Sequence, residues 1–95
     1  MFLHIKKIKY LEKYRVQATF NNGKKGGADI SPIFKKGGVF KPLKKQSEFA
    51  KLRLDKELQT VVWTNSADLA PEYVYFQAFK HELELQEQFK EWGYV

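Results

Sequence analysis

His4 and His81 are the side chains best suited to proton transfer near neutral pH, and they stand at opposite ends of a 95-residue chain. Neither falls at a spacing that pairs it with a nucleophile, and two histidines among scattered carboxylates give no metal-ligand pattern. Ser31 and Ser47 sit where helices should begin, so helix capping explains them, and neither lies in a G-x-S-x-G elbow. The run Gly23-Lys24-Lys25-Gly26-Gly27 lacks the G-x-x-x-x-G-K-[ST] spacing of a phosphate loop and reads as turn chemistry. Lys35-Lys36-Gly37-Gly38 repeats the same composition and reads as a second solvated turn. With no cysteine, thiolate nucleophiles, thiolate metal sites and disulfides are all excluded. The expectation is a protein without catalytic residues, metal or cofactor.

Binding chemistry is better represented. The net charge is +6, but residues 1–56 carry fifteen basic and four acidic side chains while residues 57–95 carry two and seven. One end of the chain is therefore strongly basic and the other acidic. Arg15, Lys24, Lys25, Lys35, Lys36, Lys41, Lys44 and Lys45 fall on polar strand positions, turns and loops, where they could gather as a nucleic-acid-binding surface. Against sequence-specific recognition, only two arginines occur and the aromatic residues fall mainly at core phases. In the acidic end, Leu85, Phe89 and Trp92 recur at i, i+4 and i+7, the spacing by which a helix anchors in a partner's groove. The plainer alternatives are that this stripe folds back on its own domain or meets the basic half of a second copy.

The elements that must position these groups fit one domain, because 43% hydrophobic and 16% aromatic content over this length supports a single core. Leu3, Ile5, Ile8 and Tyr10 predict a strand with a phase change, and hence a bulge, at Lys6-Lys7. Tyr14, Val16, Ala18 and Phe20 alternate with polar residues and predict a half-buried strand. A three-residue Asn21-Asn22-Gly23 loop, with Gly23 left-handed, keeps Ala28 and Ile30 on the apolar face of the next strand; a two-residue loop would reverse them. Ser31-Pro32 through Gly37 predicts one short helical turn, Val39 to Leu43 an apolar linker on the core, and Ser47 a second short helix. Leu52 to Leu54 and Thr60 to Trp63 predict a second hairpin. Pro71 opens a helix with Tyr73, Phe76 and Phe79 or Lys80 at helical spacing, and residues 81–95 form a helical tail, continuous with it or kinked from it. Asn65 and Asp68, between strand and helix, are read as bonding local backbone amides and capping that helix.

The succession Phe20-Asn21-Asn22-Gly23, Asp29-Ile30-Ser31-Pro32, Gly38-Val39-Phe40-Lys41-Pro42-Leu43 and Trp63-Thr64-Asn65-Ser66-Ala67-Asp68-Leu69-Ala70-Pro71 resembles the bacterial family of unknown function DUF2442 over about residues 3–80. Trp63, Asn65, Asp68 and Pro71 carry the last motif. Ser66 stands where the family commonly has glycine, which implies a turn that does not need a left-handed backbone there. The resemblance implies a compact α+β domain with two hairpin regions and a closing helix. It implies no reaction. Some relatives carry a helix-turn-helix domain after this module, and others are encoded beside a second small protein in an arrangement like a toxin–antitoxin pair. Only about fifteen residues follow the module here, too few for such a DNA-binding domain.

The combined expectation is a small single-domain α+β protein: antiparallel hairpins with short helices and a C-terminal helix packed on the sheet, residues 1–80 as the domain and 81–95 as an acidic tail. It is read as a cytoplasmic bacterial interaction module, the antitoxin-like half of a two-protein pair, whose partner is a small protein or a second copy. The alternative is a basic nucleic-acid-binding module. No apolar run reaches the roughly 20 residues of a membrane span.

Overall fold

The computed structural model describes residues 2–95. Strands β1 (Ile5–Glu12), β2 (Arg15–Phe20) and β3 (Lys25–Asp29) form an antiparallel sheet in the order β1-β2-β3. The alternation in β2 does what it predicts: Val16, Ala18 and Phe20 are buried, whereas Arg15, Gln17 and Thr19 line the other face. The register shifts between Ile5 and Lys7, so the bulge at the doubled lysine puts Ile5, Ile8 and Tyr10 on one face despite their uneven spacing. A second shift, between Tyr10 and Glu12, lay outside the alternation pattern. The turn between β2 and β3 is the three-residue loop, with Gly23 at φ +89° and Phe20 N–H donating to Lys24 C=O at 2.8 Å. Lys24-Lys25-Gly26-Gly27 is thus strand rather than solvated turn from Lys25 onward.

Two consecutive 3-10 segments follow, Ser31–Lys36 and Gly38–Lys44, separated by Gly37 at φ +64°. Pro32 and Gly37 bracket the first as expected, but Ser31 does not cap it. Asp29 Oδ1 accepts the Ser31 N–H at 2.9 Å instead, so the preceding acidic residue organises the turn. The expected apolar linker is itself helical, with Leu43 buried and Val39 left 51% exposed. Helix α1 (Gln46–Phe49) seats Phe49 in the core, and β4 (Arg53–Asp55) pairs with β5 (Thr60–Val62) as the second hairpin. Asp55 Oδ1 holds its turn by accepting the amides of Glu57 and Leu58.

Helix α2 (Pro71–Phe79) begins on Pro71 and lies along β3. Its buried side is Val74, Tyr75 and Phe79, with Tyr73 and Phe76 only half-buried, so the inward stripe is rotated from the one predicted. The reason is the aromatic mate on the sheet: Phe20 meets Tyr75 edge-on at 5.0 Å and Phe79 at 6.0 Å. The chain then breaks. A 3-10 turn at Leu83–Leu85 leads into α3 (Gln86–Glu91), and Gln86 Nε2 donates to the carbonyls of Lys80 and Glu82, satisfying the end of α2. Helix α3 ends in a Schellman motif, with Gly93 at φ +84°, Tyr94 N–H donating to Phe89 C=O and Gly93 N–H to Lys90 C=O. That motif turns Tyr94 back to stack on Phe76 at 4.9 Å.

The result is a small single-domain α+β protein with a core between the inner face of the three-stranded sheet, the β4–β5 hairpin and the helices. An aromatic chain runs through it, with Tyr14, Phe34 and Trp63 around Phe49 at one end and Phe20, Phe79 and Phe89 around Tyr75 at the other.

Candidate interaction surfaces

The expected anchor stripe of Leu85, Phe89 and Trp92 divides. Phe89 is fully buried at 0% exposure and packs on Tyr75 and Phe76, so it belongs to the core and is unavailable to a partner while the fold is intact. This is a correction to its reading as an accessible anchor. Leu85 and Trp92 are half-buried and form walls of a groove instead of protruding from a free helix. The larger part of that groove, about 480 Å³, is lined by Phe2, Leu3, Leu58, Pro71 and Trp92 with the polar His4, Glu72 and Gln88. An adjoining depression of about 180 Å³ adds Asn21, Asn22, Tyr75 and Leu85. Phe2 stands 85% exposed and Leu58 56% exposed at its rim. The N-terminal side of the groove is fixed by Asn21, whose Oδ1 accepts the His4 amide at 2.9 Å and whose Nδ2 donates to Phe2 C=O at 2.7 Å. A sequence search by helical period finds Leu85 and Trp92 but misses Phe2 and Leu58, which share no period with them.

The predicted basic residues lie on several elements. Arg15 and Lys25 lie on the outer face of the three-stranded sheet. Lys35, Lys36, Lys41, Lys44 and Lys45 lie in and after the 3-10 segments. Two lysines already have partners. Lys24 Nζ donates to Glu82 Oε1 at 3.0 Å and sits 4.7 Å from the centre of the Phe79 ring, while Lys36 Nζ lies 5.5 Å from that of Tyr73. The hydrogen bond to Glu82 holds the Lys24 ammonium above the ordinary lysine value, against a smaller opposing effect of burial. Burial likewise pushes the phenols of Tyr73 and Tyr94 up. Lys7 and Lys9, absent from the predicted patch, pair with Thr19 and Gln17 and so join Arg15 and Lys25 on the outer face. The bulge at Lys6 was the signal for them: past it, the odd residues of β1 face away from the core.

The Trp63–Pro71 stretch is structural at most positions. Trp63 is buried and its Nε1 donates to Phe49 C=O at 2.9 Å. Asn65 Oδ1 accepts the Ala67 amide at 3.1 Å and its Nδ2 donates to Val39 C=O at 2.8 Å, tying the turn to the second 3-10 segment. Asp68 is exposed, and its side chain makes no hydrogen bond among the described residues. The N-cap of α2 is Ala70, so the expected capping role of Asp68 is not the one it has. Ser66 has φ +70°, so the turn does require a left-handed residue, contrary to the inference from serine at that position. Among the described residues, no group of three His, Cys, Asp or Glu side chains could hold a metal ion, and no helix is long and apolar enough to cross a membrane.

The profile of DUF2442, described as a protein family of unknown function, matches residues 5–80. The chain belongs to that family. Among curated proteins, no sequence matches it. Among solved structures it is similar to a crystal structure of NE0471 from Nitrosomonas europaea, described as a candidate DNA-binding protein, with a TM-score of 0.74 and 21% identity. That likeness establishes the fold. It covers 97% of this chain but 59% of the other, so this chain spans less than two thirds of that protein. The DUF2442 match ends at Lys80, before the buried Phe89. Residues 81–95 therefore complete the core of this DUF2442 domain, held by the Lys24–Glu82 pair, Phe89 and the Tyr94 stack.

Proposed function

We propose that this DUF2442 protein is a non-catalytic binding module of the bacterial cytoplasm that receives an apolar segment of a small partner protein, as one half of a two-protein unit. The observation that carries the reading is the groove beside Trp92, with Phe2 and Leu58 exposed at its rim and Leu3 and Pro71 lining it alongside the polar His4, Glu72 and Gln88. Large exposed apolar side chains around a concavity mark a surface that gains by being covered. The acidic and basic halves already meet at Lys24–Glu82, which supports the tail as a fixed wall of that groove.

The test is capture from nuclease-treated native lysate with wild type and with Leu58→Asp, a change at an exposed position. A protein bound by wild type and lost from the variant supports the reading. Equal capture by both removes the groove from it.

The outer sheet face favours a second reading, binding of nucleic acid. Lys7, Lys9, Arg15 and Lys25 are exposed there beside the neutral polar Gln17 and Thr19, with the acidic Glu12 and Asp29 opposite Arg15. Phosphate contacts by such a face would make binding fall steeply with salt. Filter binding at low and moderate salt checks this, and no retention at low salt eliminates it.

A further inference from the structure

The three-stranded sheet has one covered and one open edge. On the β1 side, Ile5 N–H donates to Gln59 C=O at 3.0 Å, and the β4–β5 hairpin packs alongside. On the other side, among the described residues, β3 pairs only with β2. Phe20 N–H donates to Lys24 C=O and Ile30 N–H donates to Tyr14 C=O, so the even-numbered residues of this strand bond inward. By the alternation of antiparallel ladders, Lys25, Gly27 and Asp29 aim their N–H and C=O groups outward. All three residues are exposed.

Gly27 has no explanation inside the molecule. Its neighbour Gly26 does: a Cβ there would lie 2.6 Å from Phe79 Cε1, so glycine is what lets α2 approach the sheet. A Cβ on Gly27 would meet nothing nearer than 3.8 Å, its φ is not in the left-handed region, and the register through it is regular. Glycine within a regular strand costs stability and commonly marks close approach by another backbone.

The charge pattern of the edge is self-complementary. Read antiparallel to itself about Gly27, the strand Lys25-Gly26-Gly27-Ala28-Asp29 places each lysine opposite an aspartate of the second copy. Gly27 then faces Gly27 at the two-fold axis. The same register pairs outward N–H groups with outward C=O groups, giving about six backbone hydrogen bonds. A one-residue slip breaks the charge pairing and sets outward-facing backbone groups of one copy opposite inward-bonded ones of the other.

We infer that the β3 edge binds a second copy of this chain, antiparallel and centred on Gly27, so that two three-stranded sheets join into one. The interface is isologous and closes at two copies. Lys7, Lys9, Arg15 and Lys25 of both copies then share one continuous outer face. The inference is independent of the groove at Trp92.

Sedimentation velocity of the purified chain, with no partner added, tests it. The wild type is expected to form dimers in a concentration-dependent way. Lys25→Glu sets like charges opposite Asp29 of the copy, and Asp29→Lys does so opposite Lys25; each is expected to weaken the dimer roughly tenfold, since each change alters two symmetric cross-strand pairs. The double variant restores opposite charges in the same register and is expected to regain the dimer. Lys25→Glu leaves the Asp29–Ser31 turn bond intact, so it reads the interface without disturbing the fold. A wild type that stays monomeric, a dimer indifferent to Lys25→Glu, or a double variant that melts like the wild type, despite losing the Asp29–Ser31 bond, and still does not recover the dimer would each overturn the inference.

Discussion

Ser66→Gly should stabilise the protein. Two turns share one geometry. In the first, Gly23 N–H donates to Phe20 C=O at 3.0 Å and Phe20 N–H to Lys24 C=O at 2.8 Å; in the second, Ser66 N–H donates to Trp63 C=O at 3.1 Å and Trp63 N–H to Ala67 C=O at 2.9 Å. The third loop residue is left-handed in both, at φ +89° for Gly23 and +70° for Ser66. Serine there bears about 1–2 kcal/mol of steric cost. Glycine removes that cost but gives the unfolded chain about 0.4–1 kcal/mol of extra entropy. The net gain is about 0.5–1 kcal/mol, or roughly 3–6 °C in melting temperature for a domain of this size. Thermal and urea melts of wild type, Ser66→Gly and Ser66→Ala decide the cause. Alanine keeps the Cβ and should not stabilise. If alanine gains as much as glycine, or glycine gains nothing, backbone strain at this turn is not the explanation.

Phe89→Ala should lose about 3–5 kcal/mol in urea denaturation, since it empties a site in the core, and truncation after Lys80 should unfold the domain for the same reason. Asn65→Ala gives up two hydrogen bonds to backbone groups and should cost about 1–2 kcal/mol, while Asp68→Ala should stay within about 0.5 kcal/mol of wild type. Gly26→Ala should cost about 1–3 kcal/mol by displacing the Phe79 ring, whereas Gly27→Ala should leave the folded monomer as stable or slightly more so; parallel melts of the two separate packing from edge chemistry. Raised values for Lys24, Tyr73 and Tyr94 mean that folding favours their protonated forms. That stability is complete below the unfolded values near 10.0 and 10.5, and is lost as pH rises through the higher folded ones. Melting temperature should therefore fall as pH passes 10.0, and a curve that stays flat above that point would contradict the assigned direction.

The strand alternation in β2, the bulge at Lys6-Lys7, the Gly23 loop and the proline start of α2 were legible because each is a local rule of backbone geometry. So was the amphipathic spacing of Leu85, Phe89 and Trp92. What spacing could not say is which body the apolar stripe faces. That was decided by Gly93, whose left-handed turn sends Tyr94 back onto Phe76, and by the space beside Tyr75 that Phe89 fills. Gly93 was not singled out from the sequence, and the partner of the turn it makes, Phe76, lies 18 residues before Tyr94.

The same division holds for charge. Sequence alone determined that the first 56 residues are basic and the remainder acidic. Tertiary structure decided that Lys24 is spent on Glu82 and Phe79, that Lys7 and Lys9 join Arg15 and Lys25, and that the 3-10 lysines stand on other elements. Charge totals follow from composition, whereas a surface exists only after strand register has assigned each side chain to a face. The sequence likewise showed two adjacent glycines, and only the register, with Phe79 crowding one and nothing nearer than 3.8 Å at the other, separated a packing glycine from one on an exposed edge strand.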